Sequence, residues 1–459
     1  MQNLVVNGYT FPVSRHRLFH FGPESRPREL VATLVPHVPS AQNWQDAKPE
    51  HAVHIALSAG GLRSLDMLSP AAVESFSDVF LQPLNLKQLR ETPGRAFWNG
   101  QPPENLHLLV GCWSASEAED ARMRELITTA AAACGVEEVY VNEQQSELAG
   151  QLLNGSARLH FGFVDGITAA PTFQWTDPQP TPPGERDLRH VLVGHGRSAQ
   201  YAGDSTPNLV SATEKNRAAR EEAVAFALNG SYLAFTLIRQ HAGEFAKYLR
   251  EKARELLPPD APEAEIAEKI EWLAAKFMGR WRDGTPITQA RSVAERPAAP
   301  NLANNFDFSD DAEGYGCPHA AHIRMANPRS QAIESFKSPT PVLIRRGMPY
   351  GPELIGEEED GVDRGLIGMF ICADLQDQYL KLVRWINRSD FSPAFGHRIK
   401  DEDPIAGNRF ADSSREFRIP TPDGDVVLKS LPHFTTTLGT AFFFLPSMET
   451  LGRIAGTGI

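Results

Sequence analysis

Strand-like and helix-like stretches follow one another in this chain in an order that occurs twice, and that doubling constrains the fold more than any single motif. In the first half, "HAVHIALSAGGL" (51–62) has strand composition and ends in glycines, while "PAAVESFSDVF" (70–80) carries apolar residues at helical spacing. "LHLLVGCW" (106–113) reads as a second strand, and residues 116–135 as a helix with Ser116 as its cap and Gly135 as its stop. "VEEVYVNE" and "ARLHFGF" (157–163) supply two more strands. The second half repeats the order: "SYLAFTLIRQ" as strand, "GEFAKYLREKARELL" as helix, "PVLIRR" and "LIGMFICA" as strands, "LQDQYLKLVRWIN" as helix and "TAFFFLP" as a last strand. The pattern β-α-β-β-α-β thus appears twice, approximately in the first copy. It predicts an α+β chain of two ferredoxin-like domains, each an antiparallel sheet with helices on one face.

Proline-dense "TDPQPTPPGERD" (176–187) suits a surface connection, so the boundary is placed there, with one domain over 1–185 and the other over 186–459. Residues 256–338, rich in Pro, Arg and Asp, read as a long irregular insertion, which in a compact domain usually wraps a functional site.

With 459 residues, 41% of them hydrophobic, the chain can bury a core in each half. A formal net charge of -12 argues against a polyanion as main partner, because phosphate binding needs clustered positive charge. Nucleic acid is therefore excluded as the principal ligand. The four cysteines, Cys112, Cys134, Cys317 and Cys372, are too scattered for a disulfide framework and include no CxxC pair for zinc. The start of the chain lacks the basic and apolar segments of a secretory signal, and no stretch approaches the ~20 apolar residues that span a bilayer. These features predict a cytoplasmic protein without a membrane partner.

The usual nucleotide, zinc-peptidase and serine-hydrolase motifs are absent. What remains are three polar clusters in apolar or glycine-rich settings. Asp165 follows the bulky run of "HFGFVDGIT"; it reads either as an Asp-Gly turn or as a carboxylate tuned by Phe161 and Phe163 for acid-base work. His322 lies in "GYGCPHAAHIRMANPR", where Ala320 and Ala321 would let a flat cofactor approach the backbone, and a single neutral imidazole is the usual proximal ligand of a peroxidase haem. His319 is its rival on spacing alone. Arg345 and Arg346 follow the apolar "PVLI", so one of them must point inward if this is a strand, either into a core salt bridge or toward an anionic oxygen.

Taken in order, these clusters resemble the dye-decolorizing peroxidase family. "GFVDG" (162–166) is similar to that family's GxxDG motif, which implies a distal aspartate at Asp165 between Gly162 and Gly166. "GCPHAAHIRMANPR" (316–329) resembles the proximal segment whose second histidine binds iron, which selects His322 over His319. "IRRGMPYG" (344–351) resembles the segment whose first arginine, here Arg345, lies over the distal haem face. "DPIAG" (403–407) and "GTAFFFLPSM" extend the likeness. The family's leucine and phenylalanine above that face are represented by Phe370 and, near the leucine, by Gly368 or Met369. The resemblance implies one haem b per chain, held mainly in the C-terminal domain, and hydrogen peroxide as oxidant of bulky organic donors such as dyes and phenolics. A haem-binding or iron-releasing, deferrochelatase-like protein is the alternative, and a homo-oligomer is compatible with either. Trp272, Trp281, Trp385 and Tyr350 are electron-relay candidates by residue type alone.

Overall fold

The computed structural model describes all residues except 42–47, 82–104, 140–147, 154, 156, 168–171, 175–184, 197–215, 303, 330–342, 388–401, 408–414 and 458–459. Its first half contributes β1 (Val13–Phe21), β2 (His51–Leu57), β3 (Leu108–Ser114), β4 (Val136–Val139) and β5 (Leu148–Gln151). Two short strands, β6 (Thr172–Gln174) and β7 (Glu185–Asp187), pair with each other in parallel. The second half contributes β8 (Ser231–Gln240), β9 (Ile344–Tyr350), β10 (Gly365–Cys372) and β13 (Thr435–Leu445), with β11 (Phe417–Ile419) and β12 (Val426–Leu428) as a separate pair.

Both halves join in one nine-stranded sheet of order β4-β1-β3-β2-β13-β8-β10-β9, with β5 alongside β1. Numbering the strands within each half, the order is 4-1-3-2 in both, and the named pairs are antiparallel. This is the doubled ferredoxin-like arrangement that the sequence pattern predicts. The two copies meet edge to edge through Phe444 of β13 and Leu57 of β2, which covers two edges that would otherwise invite pairing with another chain.

The first copy is only approximate in the sequence because its opening strand is disguised. β1 reads "VSRHRLFHF", with Arg15, His16 and Arg17 where a central strand usually carries apolar residues. Helix Glu117–Ala133 and β4 compensate: Arg15 pairs with Asp120, and Arg17 with Glu138 and Thr128. The first helix after β1, Pro27–Leu34, is likewise missed by the pattern reading. Ser116 does cap its helix, accepting from Glu119 N–H, and Gly135 ends it at φ 63°.

Three other expectations change. The helix over 70–80 is two short helices, Pro70–Val73 and Asp78–Leu81, each a single turn. "ARLHFGF" is a tight hairpin rather than a strand, because Gly162 reverses the chain at φ 85° and only Arg158 and Val164 form a bridge. The insertion at 256–338 is not wholly irregular, since it holds the sixteen-residue helix Glu263–Met278.

One face of the sheet carries Phe19, Val53, Val110, Ala234 and Phe442 in a cluster with helices Pro27–Leu34 and Glu117–Ala133. The opposite face buries Leu233, Phe235, Met348, Ile367, Met369 and Ile371 under Leu4, Val5 and Leu188–Leu192 residues. Helix Ala242–Glu255, which follows β8, packs elsewhere. Its Phe245, Tyr248 and Leu249 join Leu273 and Phe277 of helix Glu263–Met278 in a third cluster. Among the described residues, the part of the sheet formed by β9 and β10 is therefore not sealed on its helical side: Arg345 and Gly347 are exposed, and Gly368 and Phe370 half-buried. Among the described residues no helix is long and apolar enough to cross a membrane.

Candidate functional site

Antiparallel register places Phe370 of β10 directly opposite Arg345 of β9, and Gly368 opposite Gly347. Side chains two apart share a face, so Arg345, Gly347, Gly368 and Phe370 lie on the open one. Gly368, not Met369, is the neighbour of Phe370 there, since Met369 is buried in the cluster on the other face. Of the two arginines, Arg346 turns inward, donating to Leu4 O at 3.0 Å, and burial lowers its pKa to about 10.

Asp165 stands at the end of the 157–165 hairpin. Its N–H donates to Ala157 O, Val164 N–H to Arg282 O, and Arg282 Nε to Phe161 O. Phe161 and Phe163 are driven into the third cluster by the turn at Gly162, which leaves Asp165 and Gly166 exposed. His160 ties the hairpin to the sheet through a 2.8 Å hydrogen bond from Nε2 to Tyr350 O at the end of β9.

His322 opens a five-residue helix, His322–Ala326. Its Nδ1 lies 2.7 Å from Oδ2 of Asp403, whose side chain is fully buried, whereas 26% of the His322 side chain is exposed. Oδ1 of Asp403 accepts the N–H groups of Ile405 and Ala406, both at 2.8 Å. Burial pushes this carboxyl up, but the adjacent His322 and the two N–H donors outweigh it and hold the group below its ordinary value. His319 is occupied differently: Nε2 donates to Ala312 O at 2.9 Å, in a buried position. Ala320 and Ala321 pack into core clusters behind the loop, so they support the backbone rather than face a cavity.

Two features bring the clusters into one region. Phe161, Phe163, Ala320 and Ile405 share the third cluster, so the loops bearing Asp165, His322 and Asp403 rest on common packing. The segment from Gly279 to Gly284 also contacts the loops bearing His322 and Asp165 and places a guanidinium within the electrostatic reach of Arg345. Gly279 packs against Ile323, Arg282 holds Phe161 and Val164, and Arg280 feels the charges of Arg329 and Arg345. Burial first, then those two guanidiniums, lower the pKa of Arg280 to about 10. Arg280 donates to Gly284 O and Asn304 Oδ1, and Arg329 to the carbonyls of Asn304 and Phe306.

Asp403 is the functional residue that the sequence reading leaves without a role. Its signal is faint, an Asp before Pro in the turn "DPIAG", and its partner is 81 positions away. Trp281 and Trp385 are buried with their indole N–H groups on Ala290 O and Met325 O, and Tyr350 is buried with its hydroxyl on Asp363. These three are accounted for by packing.

No family model matches the chain. It is 28% identical over 319 residues to dye-decolorizing peroxidase msp1 of Mycetinis scorodonius, covering 64% of this chain and 56% of that protein. The chain thus spans little more than half the length of that relative. Its fold superposes on a fungal DyP-type peroxidase from Auricularia auricula-judae with TM-score 0.76 at 22% identity, covering 99% of this chain and 98% of the other. A dye-decolorizing peroxidase in complex with 2,6-dimethoxyphenol gives TM-score 0.75 at 22% identity, with 99% and 98% covered. The chain is similar in sequence and in fold to dye-decolorizing peroxidases.

Proposed function

We propose that the chain is a haem peroxidase that uses hydrogen peroxide to oxidise bulky organic donors such as dyes and phenolics, with one haem b per chain. The observation that carries this reading is the His322–Asp403 pair. A carboxylate on Nδ1 fixes the tautomer and leaves Nε2 as the electron-pair donor. Among the described residues no group of three or more His, Cys, Asp or Glu could hold a bare metal ion. A lone, oriented imidazole suits an iron whose other in-plane donors come from a porphyrin. The positive charges of Arg329 and Arg345 acting on Arg280 suit the carboxylates that such a ring carries.

In this reading His322 would hold the iron, and Arg345, Phe370, Gly162 and Gly166 would line the peroxide site. The haem supplies the two-electron chemistry that peroxide cleavage requires. Asp165 takes the proton from the inner peroxide oxygen and delivers it to the outer one. Arg345, always charged, stabilises the negative charge on the departing oxygen. The donor class follows the family member solved with 2,6-dimethoxyphenol. All four cysteines are buried and free, which suits a reducing compartment, and the cytoplasm remains the proposed location.

The test is to purify the protein with haem supplied, record the visible spectrum, and add one equivalent of hydrogen peroxide to wild type, His322→Ala and Asp165→Ala. The expected result is a Soret band that His322→Ala loses, with a fast spectral response to peroxide that Asp165→Ala loses. A Soret band with no peroxide response in wild type would favour the haem-binding or iron-releasing alternative. No Soret band at all would overturn the cofactor assignment.

A further inference from the structure

Three charged side chains are carried into the core behind the His322 loop. Arg324 is 0% exposed, Lys276 2% and Asp311 6%. Burying charges is costly unless each is paired and hydrogen-bonded, so their contacts show what the arrangement secures. Asp311 accepts Gly316 N–H on Oδ1 and Cys317 N–H on Oδ2, both at 2.7 Å, and Arg324 Nη1 on Oδ2 at 3.2 Å. Arg324 also donates from Nη1 to Cys317 O at 2.5 Å and from Nη2 to Asp311 O at 2.9 Å. Its guanidinium lies over the Phe308 ring, 4.6 Å from the centroid. Lys276, on helix Glu263–Met278, donates to Tyr315 O and Gly316 O, both at 2.7 Å.

Every one of these bonds ends on the stretch 311–317 or on Arg324 itself. Arg324 is two residues beyond His322, on the same five-residue helix. That helix has no side-chain N-cap bond, and a single helical turn cannot hold its own orientation in isolation. Its direction is imposed from outside. On one side the planar fork of Arg324 is fixed by three oxygens; on the other, Trp385 donates to Met325 O at 3.0 Å. Asp403 fixes one nitrogen of the imidazole but not the roll of the helix that carries it.

We infer that Arg324 is a positioning residue for His322, and that Asp311 and Lys276 form with it a buried cage that sets where Nε2 of the imidazole points. An apolar residue could fill the same volume, but only a fork bonded at both Asp311 and Cys317 fixes rotation. The inference uses His322 as the iron ligand and so rests on the proposed function, yet the cage can also be read without haem.

The experiment compares wild type with Arg324→Lys and Asp311→Asn. Asp311→Asn keeps the side-chain volume and serves if Arg324→Lys does not fold. In the haem-loaded, reduced protein, resonance Raman reads the iron–histidine stretch and a Soret titration reads haem affinity. In the haem-free chain, nitrogen-15 imidazole NMR reads the His322 Nδ1 proton held by Asp403, and thermal denaturation reads stability. Expected are a shifted or broadened iron–histidine line, haem affinity about tenfold weaker, and an Nδ1 proton broadened by exchange. A variant with a lower Tm but wild-type Raman line, affinity and Nδ1 resonance would overturn the inference and leave the cage as scaffolding. Wild type that takes up no haem would overturn the proposed function, while the Nδ1 resonance would still decide the positioning role.

Discussion

His322 and Asp403, 81 positions apart in the chain, approach to 2.7 Å, with the carboxylate wholly buried and the imidazole partly open. Replacing Asp403 by Asn preserves its size but removes the charge that holds the ring in one tautomer. Outer partners of metal-binding histidines typically contribute about 10–100-fold to affinity or activity. Asp403→Asn is therefore expected to weaken haem binding by about that factor in a Soret titration. Unchanged affinity would show that the ring is held by its helix alone.

Acid should destabilise the fold through histidines buried far from this site. His16 and His54 are fully buried, and among the described residues neither nitrogen of His54 has a hydrogen-bond partner. Burial lowers the pKa of His16 to about 3; burial and then His16 hold His54 well below its ordinary value. A histidine with a lowered folded pKa binds its proton first in the unfolded chain. Its stability contribution is complete above about pH 6.5 and falls as the pH drops from there toward 3, by up to about 1.4 kcal/mol per unit for each such group. Urea midpoints at pH 7, 5.5 and 4 should decline accordingly, and less steeply in His54→Phe. Parallel declines would refute the role of His54.

Position 111 is coupled to the same ring. Gly111 of β3 lies between His16 and His54 in register, and a Cβ there would fall inside the His54 imidazole. Overpacking a filled core typically costs about 1–3 kcal/mol, so Gly111→Ala is expected to cost at least that. In a His54→Ala background the same change should cost much less. Chemical denaturation of the four proteins measures the coupling, and additive effects would sink it.

What the sequence revealed and what it hid follow from the range of the interactions concerned. The second-half strands β8, β10 and β13 are legible because their apolar runs are nearly continuous. β1 is not, because Arg15 and Arg17 are neutralised by Asp120 and Glu138, over a hundred positions away. Helix Glu263–Met278 did carry a signal, with Ile266, Ile270, Leu273 and Phe277 at helical spacing, but it is embedded in Pro- and Arg-rich chain. Phe370 and Arg345 were found separately, whereas their pairing required the β9–β10 register. Asp403 shows the same limit at its strongest, since a buried carboxylate is recognisable only beside what it binds.

The two glycines flanking Asp165 separate backbone strain from crowding. Both have left-handed backbone, φ 85° at Gly162 and 76° at Gly166. A Cβ at Gly166 would meet nothing within 4 Å, whereas one at Gly162 would lie 3.0 Å from Cδ of Arg282. Gly166→Ala should therefore cost only the conformational strain, about 1–2 kcal/mol. Gly162→Ala adds displacement of Arg282, which holds both Phe161 O and Val164 N–H and so sets the course of the chain into Asp165. Guanidinium denaturation should rank Gly162→Ala as the less stable variant. The peroxide response of the haem-loaded protein should slow more in Gly162→Ala than in Gly166→Ala, because only there does the support of the aspartate move. Equal slowing in both would mean that Arg282 does not position Asp165 and that backbone strain alone governs the loop.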